Sequence, residues 1–179
     1  MRLAYSLGYE EVLGIDLSAE VVAAAIAEGL NVRQMDIAEY LAHCPDARWS
    51  MVTALDVIEH FPRERGLWIL QEIRRVLCPE GICLLQLPNA LSPWAYGIMA
   101  SDLTHEAAYS SQSICQLAKL AGFTRGEVRE LGPPPGGMLR WFRRRLWRLL
   151  RLLYRTANLV ETGSCGDGVF SRVMLVKLS

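Results

Sequence analysis

The sequence predicts an α/β protein built on a mostly parallel, doubly wound sheet. Short apolar runs rich in β-branched residues alternate with stretches of helical periodicity along most of the chain. Glycine and proline fall at the joints between them. The composition, 51% hydrophobic and 21% charged over 179 residues, is that of one ordinary globular domain with a sizeable core.

In order, Met1–Leu7 reads as the tail of a helix stopped by Gly8, and Glu11–Ile15 as a short buried strand. Ser18 offers an N-cap to a helix that runs to Glu28 and stops at Gly29. Asn31–Gln34 is a second strand and Ala38–His43 a short helix. Ser50–Leu55 is a third strand. Arg63–Leu77 is an amphipathic helix, because Leu67, Leu70, Ile73, Val76 and Leu77 share one face. Pro79, Glu80 and Gly81 form a turn into the strongly apolar strand Ile82–Leu87. Ser111–Leu120 is a helix closed by Gly122, Thr124–Glu130 is strand-like, and Val169–Leu178 is a final strand. The breaker cluster Gly132–Gly137 is the one internal hinge, which divides a core over 1–131 from a hinge, helix and last strand over 132–179 of the same domain.

The formal net charge is zero but unevenly spread. Met138–Ala157 holds seven arginines and no acid; with these set aside, 12 basic residues face 19 acids and the rest of the chain carries about −7. Wholesale nucleic-acid binding is not expected. The five cysteines are odd in number, widely spaced and without a C-x-x-C pair, which excludes a disulfide framework or structural zinc pattern and fits a reducing cytosol. No basic region followed by an apolar run opens the chain, and no apolar stretch reaches the ~20 residues of a bilayer span.

Three strand ends carry the candidate chemistry. In Val12–Ser18, Asp16 follows a strand, where an acid can accept both hydroxyl protons of an adenosine ribose; equally, it can cap the next helix. Asp36 stands in the same position twenty residues on, beside an adenine edge or as another N-cap. Asp56-Val57-Ile58-Glu59-His60 then places polar groups at the edge of the sheet where ligands of open α/β sheets bind. Leu70-x-Glu72-Ile73-x-Arg75-Val76-Leu77-x-Pro79-x-Gly81 and the strand ending Leu87-Pro88-Asn89 complete the series.

In this order and spacing, these stretches resemble the motifs of class I S-adenosylmethionine-dependent methyltransferases, most closely the ubiquinone-biosynthesis-type and related small-molecule O-methyltransferases. The likeness runs from about Gly8 to Phe123, with Asp102-x-x-His105 through Ala121-Gly122-Phe123 resembling that group's later region. The resemblance implies a Rossmann-like, seven-stranded sheet with S-adenosylmethionine across the strand ends. Asp16 would then bind the ribose hydroxyls and Asp36 the adenine amine, with Leu17 and Ile37 flanking the ring. Asp56 and Val57 would line the methionine side. It also implies a first strand and G-x-G-x-G loop about 20 residues before the ribose acid, a position that falls before Met1. The chain is therefore expected to be N-terminally truncated, lacking that strand and loop, with the coding sequence for both lying upstream in frame.

The expected activity is methyl transfer to an oxygen of a small or lipid-linked acceptor. The alternative is a non-catalytic remnant, or an interaction module at a membrane surface, that retains the fold. His60 and His105 are the candidate bases. Asp56, Glu59 and His60, with His105 as a further donor, could instead hold a divalent ion, as an E-x-x-E-H arrangement does in some related enzymes. Arg140, Arg144, Arg148, Arg151 and Arg155 define one face of the helix after the hinge, and Leu139, Phe142, Leu146, Leu149 and Leu153 an apolar one. Such a helix could lie on an anionic membrane, which would make a cytoplasmic protein membrane-peripheral. The plainer expectation is a lid or dimer helix that packs its leucines on the sheet and leaves its arginines in solvent.

Overall fold

The computed structural model describes residues 1–179. The chain is an α/β protein and divides into two compact units, Met1–Pro45 and Asp46–Ser179.

In the first unit, α1 (Arg2–Ser6) leads to β1 (Gly14–Asp16), α2 (Ala19–Ala27), β2 (Val32–Gln34) and α3 (Ile37–His43). Strands β1 and β2 are parallel, with Asp16 opposite Gln34. Ser18 caps α2 by accepting from Val21 N. Gly8 and Gly29, at φ +90° and +76°, take the left-handed turns that end the two helices.

In the second unit, β3 (Trp49–Leu55) is followed by a 3-10 turn (Ile58–His60), α4 (Arg63–Val76) and β4 (Leu77–Pro88). Then come α5 (Ala95–Met99), α6 (Ser111–Leu120), β5 (Gly126–Glu130), α7 (Met138–Thr162) and β6 (Val173–Leu178). The sheet order is β3-β4-β6-β5: β3 and β4 are parallel, and β6 runs antiparallel to both β4 and β5. Three of its four strands therefore share a direction.

The core lies between this sheet and the helices α4 and α6. Ile69, Leu70, Ile73 and Val76 of α4 and Ile114 of α6 are wholly buried, as are Cys83, Leu85 and Leu87 of β4 and Met174, Val176 and Leu178 of β6. Residues at i, i+4 and i+7 of α4 and alternate residues of the strands supply this surface because the two periods are 3.6 and 2.

The structure departs from the expected elements where pairing decides the ends. Strand β1 begins at Gly14 rather than Glu11, since its first parallel partner is Val32. The Pro79–Gly81 turn is a bulge inside β4: Leu77 pairs with Trp49 and Ile82 with Met51, with the turn residues left over between them. Ile69, not Leu67, completes the buried face of α4. The basic helix runs on to Thr162, where Gly163 at φ +72° ends it.

Candidate functional site

The strand ends of the first unit carry Asp16 and Asp36. Asp16 ends β1 and its Oδ1 accepts from Ser18 N at 2.8 Å; Asp36 caps α3, its Oδ1 accepting from Ala38 N at 2.7 Å and Glu39 N at 3.2 Å. Asp36 thus takes the helix-capping role foreseen for it, whereas α2 is capped by Ser18 and Asp16 instead holds the backbone N–H of that cap residue. Each acid uses Oδ1 in these bonds, so the second carboxylate oxygen remains as an acceptor for a ligand. Leu17, beside Asp16, is 66% exposed, and Ile37, beside Asp36, is half-buried.

In the second unit the end of β3 turns sharply. Asp56 has φ +53°, a left-handed conformation that costs a non-glycine residue roughly 1 kcal/mol or more. It is held there by its own N–H donating to Gln86 O at 2.9 Å and by Gln86 Nε2 donating to its Oδ2 at 2.8 Å. The turn sends Val57 into the 3-10 turn that carries Glu59 and His60.

The loop after α5 closes on that turn. Glu106 N and Ala107 N both donate to Glu59 O, at 2.9 and 3.0 Å, which lays His105 against His60 with ring centroids 4.9 Å apart. Thr104 sits between His60 and Asp102. Its hydroxyl donates to Asp102 Oδ1 at 2.6 Å and faces His60 Nδ1 at 2.9 Å, while Thr104 O lies 3.3 Å from the same nitrogen. The bond from Thr104 Oγ1, and a second from Thr104 N, hold the Asp102 carboxyl below its usual range. An ionised carboxylate only accepts, so the Thr104 proton is committed to Asp102 and its oxygen must accept from His60. In the neutral imidazole the proton is therefore on Nδ1, which leaves Nε2 as a free proton acceptor.

Glu59 is 1% exposed, and neither of its carboxyl oxygens has a hydrogen-bond partner. Burial, more than any neighbouring charge, pushes its pKa up to about 7. His105 Nδ1 and the Tyr109 hydroxyl are also buried without partners, and burial likewise raises the Tyr109 pKa. Ligand atoms of Glu59, His60 and His105 all lie within 4.8 Å of one another. The structure thus brings His105, rather than Asp56, to Glu59 and His60; the Asp56 carboxylate accepts from Gln86 instead. One carboxylate and two imidazoles suit a divalent cation in donor chemistry.

The family model described as "Methyltransferase domain" matches residues 1–85. Among solved structures, an S-adenosylmethionine-dependent methyltransferase from Archaeoglobus fulgidus is similar over 99% of this chain and 79% of its own, at TM-score 0.72 and 16% identity. The fold is that of an S-adenosylmethionine-dependent methyltransferase. A methyltransferase from Mesorhizobium loti is similar over 99% of this chain and 84% of its own (TM-score 0.66, 14% identity). Phosphoethanolamine N-methyltransferase 2 from Haemonchus contortus, solved with S-adenosyl-L-methionine, is similar over 99% of this chain and 45% of its own (TM-score 0.64, 19% identity). No curated protein matches the chain.

Within this methyltransferase fold, four of the expected cofactor residues (Asp16, Leu17, Asp36, Ile37) lie in the first unit, and Asp56 and Val57 lie in the second. The two candidate bases meet. Thr104 was not foreseen from the sequence. Its one signal there is the Asp-x-Thr spacing, which lets the Asp102 carboxylate accept from Thr104 N at 2.9 Å.

Proposed function

We propose that this chain binds S-adenosylmethionine and methylates an oxygen of a small or lipid-linked acceptor, with His60 as the general base. The observation that carries the reading is the Asp102–Thr104–His60 chain, which fixes the imidazole in the tautomer a base requires. Asp16 is assigned to the ribose hydroxyls and Asp36 to the adenine amine, with Leu17 and Ile37 against the ring. Asp56 and Val57 are assigned to the methionine side. When bound, S-adenosylmethionine supplies an already activated methyl group, so the protein's task is to align the acceptor and remove its proton. His60 Nε2 takes that proton. The imidazolium keeps its Nδ1–H directed at Thr104, whose hydroxyl passes the interaction to ionised Asp102. The acceptor class follows the resemblance of the Asp56–His60 and Arg75–Gly81 stretches to small-molecule O-methyltransferases.

Calorimetric titration with S-adenosylhomocysteine tests the cofactor part. Micromolar binding that Asp16→Asn weakens about tenfold is expected. Silence from the folded chain favours a non-catalytic module that keeps only the fold. Transfer of labelled methyl to catechol and to a polyprenylated phenol then tests the acceptor class.

A divalent ion on Glu59, His60 and His105 is the second reading, favoured by the 4.8 Å cluster and by the unpartnered oxygens of Glu59. Such an ion would orient adjacent acceptor hydroxyls. Activity that survives EDTA leaves His60 as a simple base, whereas activity lost to EDTA and restored by manganese or magnesium moves it into a ligand set.

A further inference from the structure

We propose that the cleft between α7 and the Gly132–Gly137 loop is a binding site for a small phosphate monoester, held by Arg144 and Arg148. The proposal stands on this cleft alone and is independent of the methyl-transfer reading.

The helix is held to its own unit by one narrow stripe, Trp147, Arg151, Tyr154 and Asn158, spaced i, i+4, i+7, i+11. Trp147 and Tyr154 pack on Trp94, Tyr154 also stacks on Phe170, Arg151 pairs with Glu130 at 3.0 Å, and Asn158 donates to Ser164 O. About 140° round the helix, Phe142, Leu146, Leu149 and Leu153 repeat the same spacing. They are 46–57% exposed, and no residue of the 25-residue helix is buried. The expectation that the leucines pack on the sheet is thus overturned: polar and aromatic residues make the contact, and the leucines face away from it. Long as α7 is, no helix of the chain is long and apolar enough to cross a membrane. Arg144 and Arg148 stand on the side of the contact, since with Trp147 and Arg151 they follow i, i+3, i+4, i+7.

Between that side of the helix and the loop lies a cleft of about 290 Å³, with Arg144, Trp147, Arg148 and Arg151 on one wall and Glu130 and Pro133 on the other. Arg144 and Arg148 also line a hollow of about 130 Å³ beside Gly136 and Trp141, so two concavities converge on the same pair of guanidinium groups. Glu130 is the one acid in either lining, and both its oxygens are engaged: Oε2 pairs with Arg151 Nε at 3.0 Å and Oε1 accepts from Phe170 N at 3.1 Å. No acid lies in Met138–Ala157, and the loop opposite is glycine and proline throughout. Arg144 and Arg148 therefore make no ion pair or hydrogen bond within the chain. One turn apart, they repel each other and weaken the helix that carries them. A ligand that places a dianion between them removes that repulsion.

The chemistry of the pair selects the ligand. One guanidinium satisfies a carboxylate, whereas the terminal oxygens of a phosphate monoester can engage two forks at once. Its charge of about −2 at neutral pH also matches the two unpaired arginines. The cleft is at the lower end of small-molecule sites in volume, so it holds an organic group besides the phosphate, laid against Trp147 and Pro133. Prolines at 133, 134 and 135 fix φ along the opposite wall, which keeps the cleft preformed and lowers the ordering cost of binding. The acidic remainder of the chain disfavours a polyanion in place of a small ligand.

Calorimetric titration of the full chain with phenyl phosphate, inorganic phosphate and benzoate, at one ionic strength, tests the site. Phenyl phosphate should bind about tenfold more tightly than benzoate, which offers one carboxylate, and several-fold more tightly than inorganic phosphate, which lacks the organic group. R144Q/R148Q should weaken phenyl phosphate about a hundredfold, at roughly tenfold for each charged partner lost. R144K/R148K keeps the charge without the forked geometry and should recover about tenfold of that loss. R143Q, outside the lining, should bind like the wild type. Circular dichroism confirms that the variants stay folded, and the lysine pair keeps the test decisive if the glutamine pair does not. Benzoate or inorganic phosphate bound as tightly as phenyl phosphate overturns the proposal. So does wild-type affinity in R144Q/R148Q, or an equal loss in R143Q, which would reduce the effect to the overall charge of the helix. Binding confined to vesicles that contain phosphatidic acid, with none to phenyl phosphate in solution, overturns it as well, because the phosphate would then belong to a lipid surface.

Discussion

Around His60 the chain buries polar groups, and along α7 it exposes apolar ones. The two regions reverse the ordinary sorting of side chains, and each does so with a different device. At His60 a loop is pinned to the 3-10 turn by two backbone bonds to Glu59 O, which leaves the Glu59 carboxyl oxygens, His105 Nδ1 and the Tyr109 hydroxyl buried without partners. On α7 a regular 3.6-residue period supplies an apolar face, but the surface under the helix is reached by the opposite stripe. In soluble domains, buried polar groups and exposed apolar strips are where function concentrates.

The largest expected effect strikes at the first region. His60→Ala should lower the methyl-transfer rate by 10²–10⁴-fold, the usual range for a positioned base. Thr104→Val should lower it by about tenfold with little change in S-adenosylhomocysteine affinity, because it frees the tautomer without touching the ligand. Rates measured for both on the same acceptor check this; a Thr104→Val enzyme as fast as the parent would remove the hydroxyl from the account.

Next comes Glu59, whose pKa is raised to about 7 by burial from an ordinary 4.5. The folded chain holds this proton more tightly than the unfolded one. Stability is therefore greatest below about pH 4.5, falls as pH rises to about 7, and is flat beyond as far as this group is concerned. Glu59→Gln removes that loss and should raise stability on the order of 2 kcal/mol at pH 8, several degrees in Tm, with little gain at pH 4. Thermal melts at the two pH values distinguish this from a plain packing effect, which would be the same at both.

Asp56 offers a smaller test, on strain. Asp56→Gly relieves the left-handed backbone while removing the carboxylate, so Tm should stay within about 2 °C while S-adenosylhomocysteine affinity falls about tenfold. Asp56→Ala keeps the strain and should cost about 1 kcal/mol as well. Denaturation and calorimetry on the pair separate the backbone's part from the carboxylate's.

How much of this was legible follows from which signals are local. Ser18, Gly29 and Gly122 mark helix ends through their own backbone or side chain, and α6 has the predicted bounds, Ser111–Leu120. Strand ends depend on a partner's register, which is why Gly14 rather than Glu11 opens β1 and why the Pro79–Gly81 turn falls within β4. The 3-10 turn and α5 are too short to show a period. His60 and His105 could be singled out by residue type. That they meet depends on Glu106 and Ala107 bonding to Glu59 O, a closure across some 45 residues that no pattern encodes. Thr104 becomes important only through that closure. On α7 the two faces were readable, but which one faces the protein was decided by Trp94 and Phe170, distant in sequence.

The smallest expected effect settles the second half of the comparison. A leucine that packs against a sheet costs 2–5 kcal/mol when truncated, and Ile73→Ala in the wholly buried face of α4 should fall in that range. Leu149, 53% exposed, and Leu153, 57% exposed, have no such surface to lose, so Leu149→Ser and Leu153→Ser should each change unfolding free energy by less than about 0.5 kcal/mol. Urea denaturation measures both. A cost above about 2 kcal/mol would mean that the strip is covered in solution and that α7 belongs to the core. A negligible cost would mean that these leucines serve something outside the chain. The same substitutions thus separate a helix that stabilises its own fold from one that uses its apolar face elsewhere, because only the first lowers the unfolding free energy.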